Sequence, residues 1–343
     1  MVSLAELKEN IKNLLKDRKV KYVIGYQNSS NELRPAPAFI KGEEEVDKLI
    51  WDPLCVYNLT RFLVDEKRRK AREKNPDKRP VGLIVKGCDS RAVNVLLQER
   101  FIDRDDVYII GLSCEGKGVV DEKKLAIKLK GKEVEKIEFG KENQFIITTD
   151  KGKVEIAAEE VLAERCLECP ASVPVVYDVL LGEKIQRKPE NPYKSLQKIE
   201  SLSIEEKWAF WKEQLDKCIR CYACRSACPM CYCDECVVDS INLAVTADTT
   251  AKEKAQKIKW IEKSPELSEN FVYHFVRAIH LAGRCVDCGE CERVCPLDIP
   301  IRLLNKKLEK EAKELFEYVV GFNPEQPSLV SCFRDEDPED FIR

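Results

Sequence analysis

The chain has 343 residues, enough for two or three domains, and its 58 lysines and arginines against 61 aspartates and glutamates leave a net charge of -3. That balance excludes the basic excess of a nucleic-acid-binding surface. Charges break every apolar stretch before the roughly 20 residues of a membrane span, and the first residues lack the apolar block of a secretory leader, so a cytoplasmic protein with no membrane span is predicted.

In chain order, leucines and isoleucines spaced among charges predict an amphipathic helix over about 3–17, followed by a strand at 21–26 and a long charged helix over 57–73. The apolar runs 81–87 and 107–112 flank a helical pattern at 90–100, which reads as a βαβ unit. Further strands are predicted at 134–140, 144–149 and 153–158, the last two joined by Asp150, Lys151 and Gly152 in a hairpin connection. These elements make an α/β domain over 1–182. Residues 183–200 are polar, contain two prolines and read as a linker. Beyond it, helices are predicted at 204–217, between two cysteine groups, and at 302–322, giving an all-α domain over 201–322. A tail follows at 323–343, its acidic end (334–341) read as solvated.

Seventeen cysteines are far more than ordinary usage, and in a reducing compartment disulfides do not persist, so the thiols point to metal. Only two histidines, His274 and His280, accompany them, which excludes imidazole-rich zinc or copper sites. Cys218, Cys221, Cys224 and Cys228 precede Pro229, and Cys285, Cys288, Cys291 and Cys295 precede Pro296 in the same spacing. Three thiolates at two-residue intervals reach three irons of one cubane, while the fourth, before proline, is directed to the other cluster. The ligand sets are therefore expected to cross: Cys218, Cys221, Cys224 and Cys295 on one 4Fe-4S cluster, Cys285, Cys288, Cys291 and Cys228 on the second. A pair of zinc ribbons would show C-x-x-C pairs rather than quartets with trailing prolines. Cys224, Cys228 and Cys231 also spell the radical-SAM spacing, but the quartet already explains two of them and the strand–helix run of such a barrel is missing.

The α/β domain carries its own thiols at predicted strand ends, Cys88 and Cys114, with Cys166 and Cys169 further on. Open α/β sheets bind ligands at the carboxyl ends of parallel strands, and a C-x-x-C beside two loop thiols completes a tetrathiolate for a third cluster. Filling a core gap is the bland reading of an isolated thiol and suits Cys55 better. Cys231, Cys233 and Cys236 form a C-x-C-x-x-C run lacking a fourth ligand, for which Cys332, Cys55 or a partner subunit would serve. That run reads equally as a fourth cluster or zinc site and as small thiols packed around a neighbouring cubane. His280 is placed to tune a cluster by hydrogen bonding, although packing is the commoner role for it and for His274.

The string HLAGRCVDCGECERVCPLDIPI and the long interval between the quartets resemble the α-helical ferredoxin-type dicluster domains of heterodisulfide reductase small subunits and fumarate reductase iron–sulfur subunits. CDSRAV, then GLSC, then CLEC followed by VPVVYDVLLGE resemble the beta-subunit family of deazaflavin-dependent hydrogenases and formate dehydrogenases, over about 80–185. That resemblance implies one 4Fe-4S cluster on Cys88, Cys114, Cys166 and Cys169, and an FAD exchanging hydride with a soluble carrier. Lys86, Asp89 and Arg91 flank the cluster loop and suit a flavin phosphate, Asp89 serving equally as a cap of the following helix. The first 180 residues show no glycine-rich phosphate loop.

The function predicted is an iron–sulfur electron-transfer subunit, without catalytic residues of its own, in a multisubunit cytoplasmic oxidoreductase of hydrogenase, formate dehydrogenase or heterodisulfide reductase type. Three 4Fe-4S clusters relay single electrons, four if the C-x-C-x-x-C run binds one. The alternatives are a flavin-containing catalytic subunit acting on a deazaflavin or nicotinamide carrier, an iron–sulfur A-type subunit of anaerobic sulfite reductase, and a structural zinc protein. Bound flavin and metal content discriminate them.

Overall fold

The computed structural model describes residues 2–29, 35–114, 118–140, 144–186, 188–234, 236, 238, 250–252 and 264–333. The chain divides into one unit of Met1–Lys194, Val286–Cys288 and Val320–Ser331, and a second of Ser195–Cys285, Gly289–Val319 and Cys332–Arg343.

The first unit begins with α1 (Leu4–Lys16), capped by the Ser3 hydroxyl, which buries Leu7, Ile11 and Leu14 at helical spacing. Its main sheet has the order β2 (Pro35–Ile40), β1 (Val23–Asn28), β3 (Val81–Val85), β4 (Val107–Leu112), β8 (Val179–Leu181). Only the β1–β2 pair is antiparallel. Central β3 buries every residue, as a parallel strand covered on both faces must. Helix α2 (Arg61–Lys70) precedes β3, and α3 (Gly87–Gln98) links β3 to β4 as the βαβ pattern predicts. Between β4 and β8 the chain makes α4 (Glu122–Leu129), then a three-stranded antiparallel sheet, β5 (Val134–Phe139), β6 (Gln144–Thr149) and β7 (Gly152–Ala157). Two single turns follow, α5 (Ala158–Val161) and α6 (Glu164–Leu167). Phe145, Ile147 and Ile156 pack with Leu125 and Leu129 of α4 into a second core, which Leu54 from the segment before β3 also joins.

Several elements differ from the sequence-based expectation. Strand β2 was not expected because two prolines fall in it. It is the edge strand, where a missing N–H costs no ladder bond. The segment expected as a linker, 183–200, ends in α7 (Lys194–Glu200), which buries Leu196. Part of the expected tail belongs to the first unit: Asn94 donates to the Gly321 carbonyl at 3.0 Å, and Gln98 to those of Asn323 and Gln326 at 2.7 and 2.9 Å. The acidic end at 334–341 lies outside the described residues.

The described elements of the second unit are helices: α7, α8 (Ile204–Asp216), α9 (Ala223–Ser226), α10 (Leu267–His280), α11 (Glu290–Arg293) and α12 (Ile301–Phe316). A capping box of Ser203 and Glu206 opens α8. The core gathers Leu215, Tyr273, Ile299 and Ile301 with three thiols, Cys224, Cys291 and Cys295. No described helix is long and apolar enough to cross a membrane.

Candidate metal centres

Parallel strands β3 and β4 run in register and end on one edge of the sheet, so Cys88 in the first turn of α3 and Cys114 just after β4 emerge side by side. Cys166 comes from α6 and Cys169 from the turn after it, both reached only once the chain has passed through the small sheet. Backbone bonds tie the returning segment down, from the Cys114 amide to the Ser172 carbonyl at 2.8 Å and from the Ser113 amide to the Leu181 carbonyl at 3.0 Å. The four thiols line one cavity, together with Lys86, Arg91 and Arg165. Two glycines permit the approach. A Cβ on Gly87 would stand 1.7 Å from the Ala171 carbonyl oxygen, and one on Gly118 (φ +61) only 2.6 Å from Cβ of Cys166. Amides already point at sulfur: Val119 donates to Cys166 Sγ and Ala171 to Cys169 Sγ, each at 3.4 Å.

Burial pushes the thiols up, Cys114 to about 12, Cys169 to about 11, and Cys88 well above the ordinary value. A thiolate-bound group must therefore displace protons on entering. Arg91, 1% exposed, donates Nε to the Val320 carbonyl at 3.0 Å and Nη1 to that of Val286 at 3.1 Å, over the ring of Phe322. Its Nη2 is buried with no hydrogen-bond partner. A clamped guanidinium with a spare donor, lining a cavity with four sulfurs, fits an anionic tetrathiolate cluster. Lys86 and Asp89 do not fit the phosphate-binding role expected of them. They pair with each other at 3.0 Å, Lys86 also donates to the Tyr57 carbonyl at 2.7 Å, and the Asp89 carboxylate caps α3 by accepting the Lys86 amide. Both are buried, and an acid and an amine buried together satisfy each other because leaving either unpaired is costly.

The two cysteine quartets carry a backbone signature that spacing alone does not show. Arg220 (φ 54) and Tyr222 (φ 60) are left-handed, and so are Asp287 (φ 56) and Gly289 (φ 68), at the equivalent places two and four residues after the first cysteine of each quartet. A single helical turn follows in both, α9 and α11, and then the amides of Cys228 and Cys295 each bond back, at 3.2 Å, to the carbonyls of Arg225 and Glu292. Left-handed non-glycine residues are uncommon, and their recurrence at Arg220 and Asp287, with Tyr222 matched by Gly289, marks two copies of one loop conformation. Cys224, Cys291 and Cys295 are buried, Cys218, Cys228, Cys285 and Cys288 half-buried, and Cys221 exposed.

Helix α10 serves the first loop. Asn270, Tyr273, His274 and Arg277 are all buried on it at i, i+3, i+4 and i+7. Asn270 donates to the carbonyls of Leu215 and Cys218 at 3.0 and 2.9 Å, and Arg277 to that of Cys224 at 3.1 Å. The Tyr273 hydroxyl lies 3.7 Å from Cys224 Sγ, and His274 Nε2 lies 3.3 Å from Cys218 Sγ. Burial, aided by Arg277 and Arg220, holds His274 down to about 3. The histidine expected to tune a cluster, His280, is exposed, and the sulfur contact belongs to His274. A polar stripe at helical spacing on an otherwise apolar helix was the available signal for all four residues.

Cys231, Cys233 and Cys236 have separate surroundings: Cys231 lies against Cys228 and Arg277, Cys233 is exposed, and Cys236 packs on the core. Cys332 is exposed, and Cys55 is fully buried beside Asp52. Among the described residues, no three His, Cys, Asp or Glu side chains converge on a point that would hold a single metal ion.

Residues 78–193 match the family described as the C terminus of the coenzyme F420 hydrogenase/dehydrogenase beta subunit, and residues 213–299 match the 4Fe-4S dicluster domain. The chain thus carries a segment similar to that beta-subunit family ahead of one similar to the 4Fe-4S dicluster domain. The first matched segment spans all four thiols of the first cavity, and the second spans both quartets. Across 94% of its length the chain is 23% identical to the F420-dependent formate dehydrogenase subunit beta of Methanocaldococcus jannaschii, covering 93% of that protein. It is 27% identical to the F420-dependent formate dehydrogenase 1 subunit beta of Methanococcus maripaludis, over 86% of this chain and 85% of that one. A chain of the F420-reducing NiFe hydrogenase complex from Methanosarcina barkeri aligns at 17% identity with a TM-score of 0.37, over 48% of this chain and 58% of that one. The expectation of an iron–sulfur electron-transfer subunit of an oxidoreductase is borne out by the family and dicluster matches.

Proposed function

We propose that this chain carries single electrons through three 4Fe-4S clusters as a subunit of a cytoplasmic formate dehydrogenase-type complex that works with F420. One cluster is held by Cys88, Cys114, Cys166 and Cys169. The second is held by Cys218, Cys221, Cys224 and Cys295, the third by Cys285, Cys288, Cys291 and Cys228. The observation that carries the reading is the meeting in one cavity of four thiols from three stretches of the chain, with amides and an unpartnered guanidinium nitrogen beside them. When bound, the clusters supply one-electron steps at potentials set by charge, hydrogen bonding and exposure. The protein supplies position and charge: Val119 and Ala171 hold sulfur by their amides, Arg91 offsets negative charge, and α10 fixes the first ferredoxin-type loop. The formate dehydrogenase assignment is supported by two relatives of that name matching most of the chain. Anaerobic purification of the full chain is expected to give about 12 irons, four per cubane. About eight would remove the beta-subunit-domain site, and zinc without sulfide would end the reading.

A second reading adds a flavin. The F420-dependence in the relatives' names implies a hydride donor or acceptor, and splitting a hydride into single electrons is flavin chemistry. Since Lys86 and Asp89 are occupied with each other, an FAD would rest on other residues. Flavin measured per chain decides it.

A further inference from the structure

Helix α10 brings two side-chain donors to the sulfurs of one loop. His274 Nε2 stands 3.3 Å from Cys218 Sγ, and the Tyr273 hydroxyl 3.7 Å from Cys224 Sγ. Both side chains are sealed from solvent, at 2% and 1% exposure. We propose that His274, donating from Nε2 to Cys218 and helped by the Tyr273 hydroxyl on Cys224, raises the reduction potential of the cluster those cysteines hold. This rests on the electron-transfer reading above and adds to it the residues that set one potential.

An imidazole donates only from a ring nitrogen that carries hydrogen. His274 Nδ1 is buried and has no hydrogen-bond partner, whereas Nε2 faces a sulfur. A metal-bound cysteine has no proton and can only accept, so the arrangement selects the tautomer with hydrogen on Nε2. The Tyr273 hydroxyl must donate for the same reason. Neither donor is free to drift. Asn270 and Arg277, one turn to either side on the same face, bond to the carbonyls of Cys218 and Cys224 and so lock helix to loop. Reducing the cluster adds one electron, and part of that charge resides on the ligand sulfurs. A hydrogen bond aimed at those sulfurs therefore stabilises the reduced form more than the oxidised one, and the buried surroundings strengthen it. A packing role for the same side chains would leave the potential where it is.

The test is a redox titration followed by electron paramagnetic resonance on the full chain purified without oxygen, the relevant signal being the one that disappears in Cys221→Ser. His274→Phe is expected to move the midpoint to more negative potential, by several-fold to tenfold in the reduction equilibrium, tenfold being about 59 mV for a one-electron couple. His274→Gln, which keeps an N–H, should recover most of the shift, and Tyr273→Phe should give a smaller shift of the same sign. An unchanged or more positive midpoint in His274→Phe overturns the proposal. Where that variant fails to hold the cluster, Tyr273→Phe decides on the same criterion. Iron content separates the two levels: iron retained with an unmoved midpoint ends this inference alone, and a wild-type chain without iron ends the electron-transfer reading.

Discussion

In the first unit the four thiols line a cavity at the rim of a parallel sheet whose strands bury Val81, Leu83, Ile109 and Ile110, so the apolar core is complete without them. In the second unit Cys224, Cys291 and Cys295 are themselves members of the buried cluster that includes Leu215, Tyr273 and Ile299. The first is a folded domain with a site on its edge. The second is a domain whose core includes three of the proposed ligands, so cluster binding is expected to add to its folding energy.

The harshest way to break the comparison is to take the metal away. Chelation under oxidising conditions should expose α8–α12 to protease while the sheet of the first unit stays protected, as read by limited proteolysis with mass spectrometry. Equal protection of the two units would erase the distinction. A narrower cut is Cys228→Ser, which should abolish the cluster whose other ligands are Cys285, Cys288 and Cys291, whereas Cys295→Ser should abolish the one on Cys218, Cys221 and Cys224. Spectra showing each loss on the mutated motif's own side would contradict crossed ligation. In the first unit the sharpest lever is steric. Gly87→Ala places a Cβ against the Ala171 carbonyl and should cost about 1–3 kcal/mol of stability, as overpacking does, with loss of the cluster on Cys88, seen by thermal melting and iron content. Milder still, Arg91→Met removes a buried cation beside four sulfurs and should lower that cluster's midpoint, by about 59 mV for each tenfold lost in the reduction equilibrium, with the other clusters unmoved. The smallest effect is expected from Cys233→Ser with Cys236→Ser. Since one thiol is exposed and the other packs on the core, iron and zinc per chain should stay constant, and loss of one site's worth would restore the fourth-site reading.

The same contrast governs how much could be read from sequence. Strands β3 and β4 with α3 between them were legible because apolar runs and helical period leave little choice, and the two quartets because their spacing has few other uses. Strand β2 was hidden by its prolines, and β8 by its three-residue length. The pairing of Lys86 with Asp89 could not be read, because a charged residue beside a ligand loop looks the same whether it faces a phosphate or its own helix cap. His274 was passed over for His280, which sits closer to a quartet in sequence but off the buried face of α10. Burial of the stripe Asn270, Tyr273, His274 and Arg277 against the other quartet is a tertiary fact with only a faint periodic trace.

The small antiparallel sheet has a bearing on when the first site comes into being. Cys114 lies before it and Cys166 after it, and drawing together the ends of a flexible loop of that length costs about 3 kcal/mol of chain entropy. The insert removes that cost in advance. Its strands pair with their sequence neighbours, its core is local apart from Leu54, and the bridge between Val120 and Leu162 closes its neck. Pairing of this small sheet is therefore expected to bring Cys166 toward Cys114 before any iron arrives. Delivery of the cluster would then be the filling of a prepared vessel.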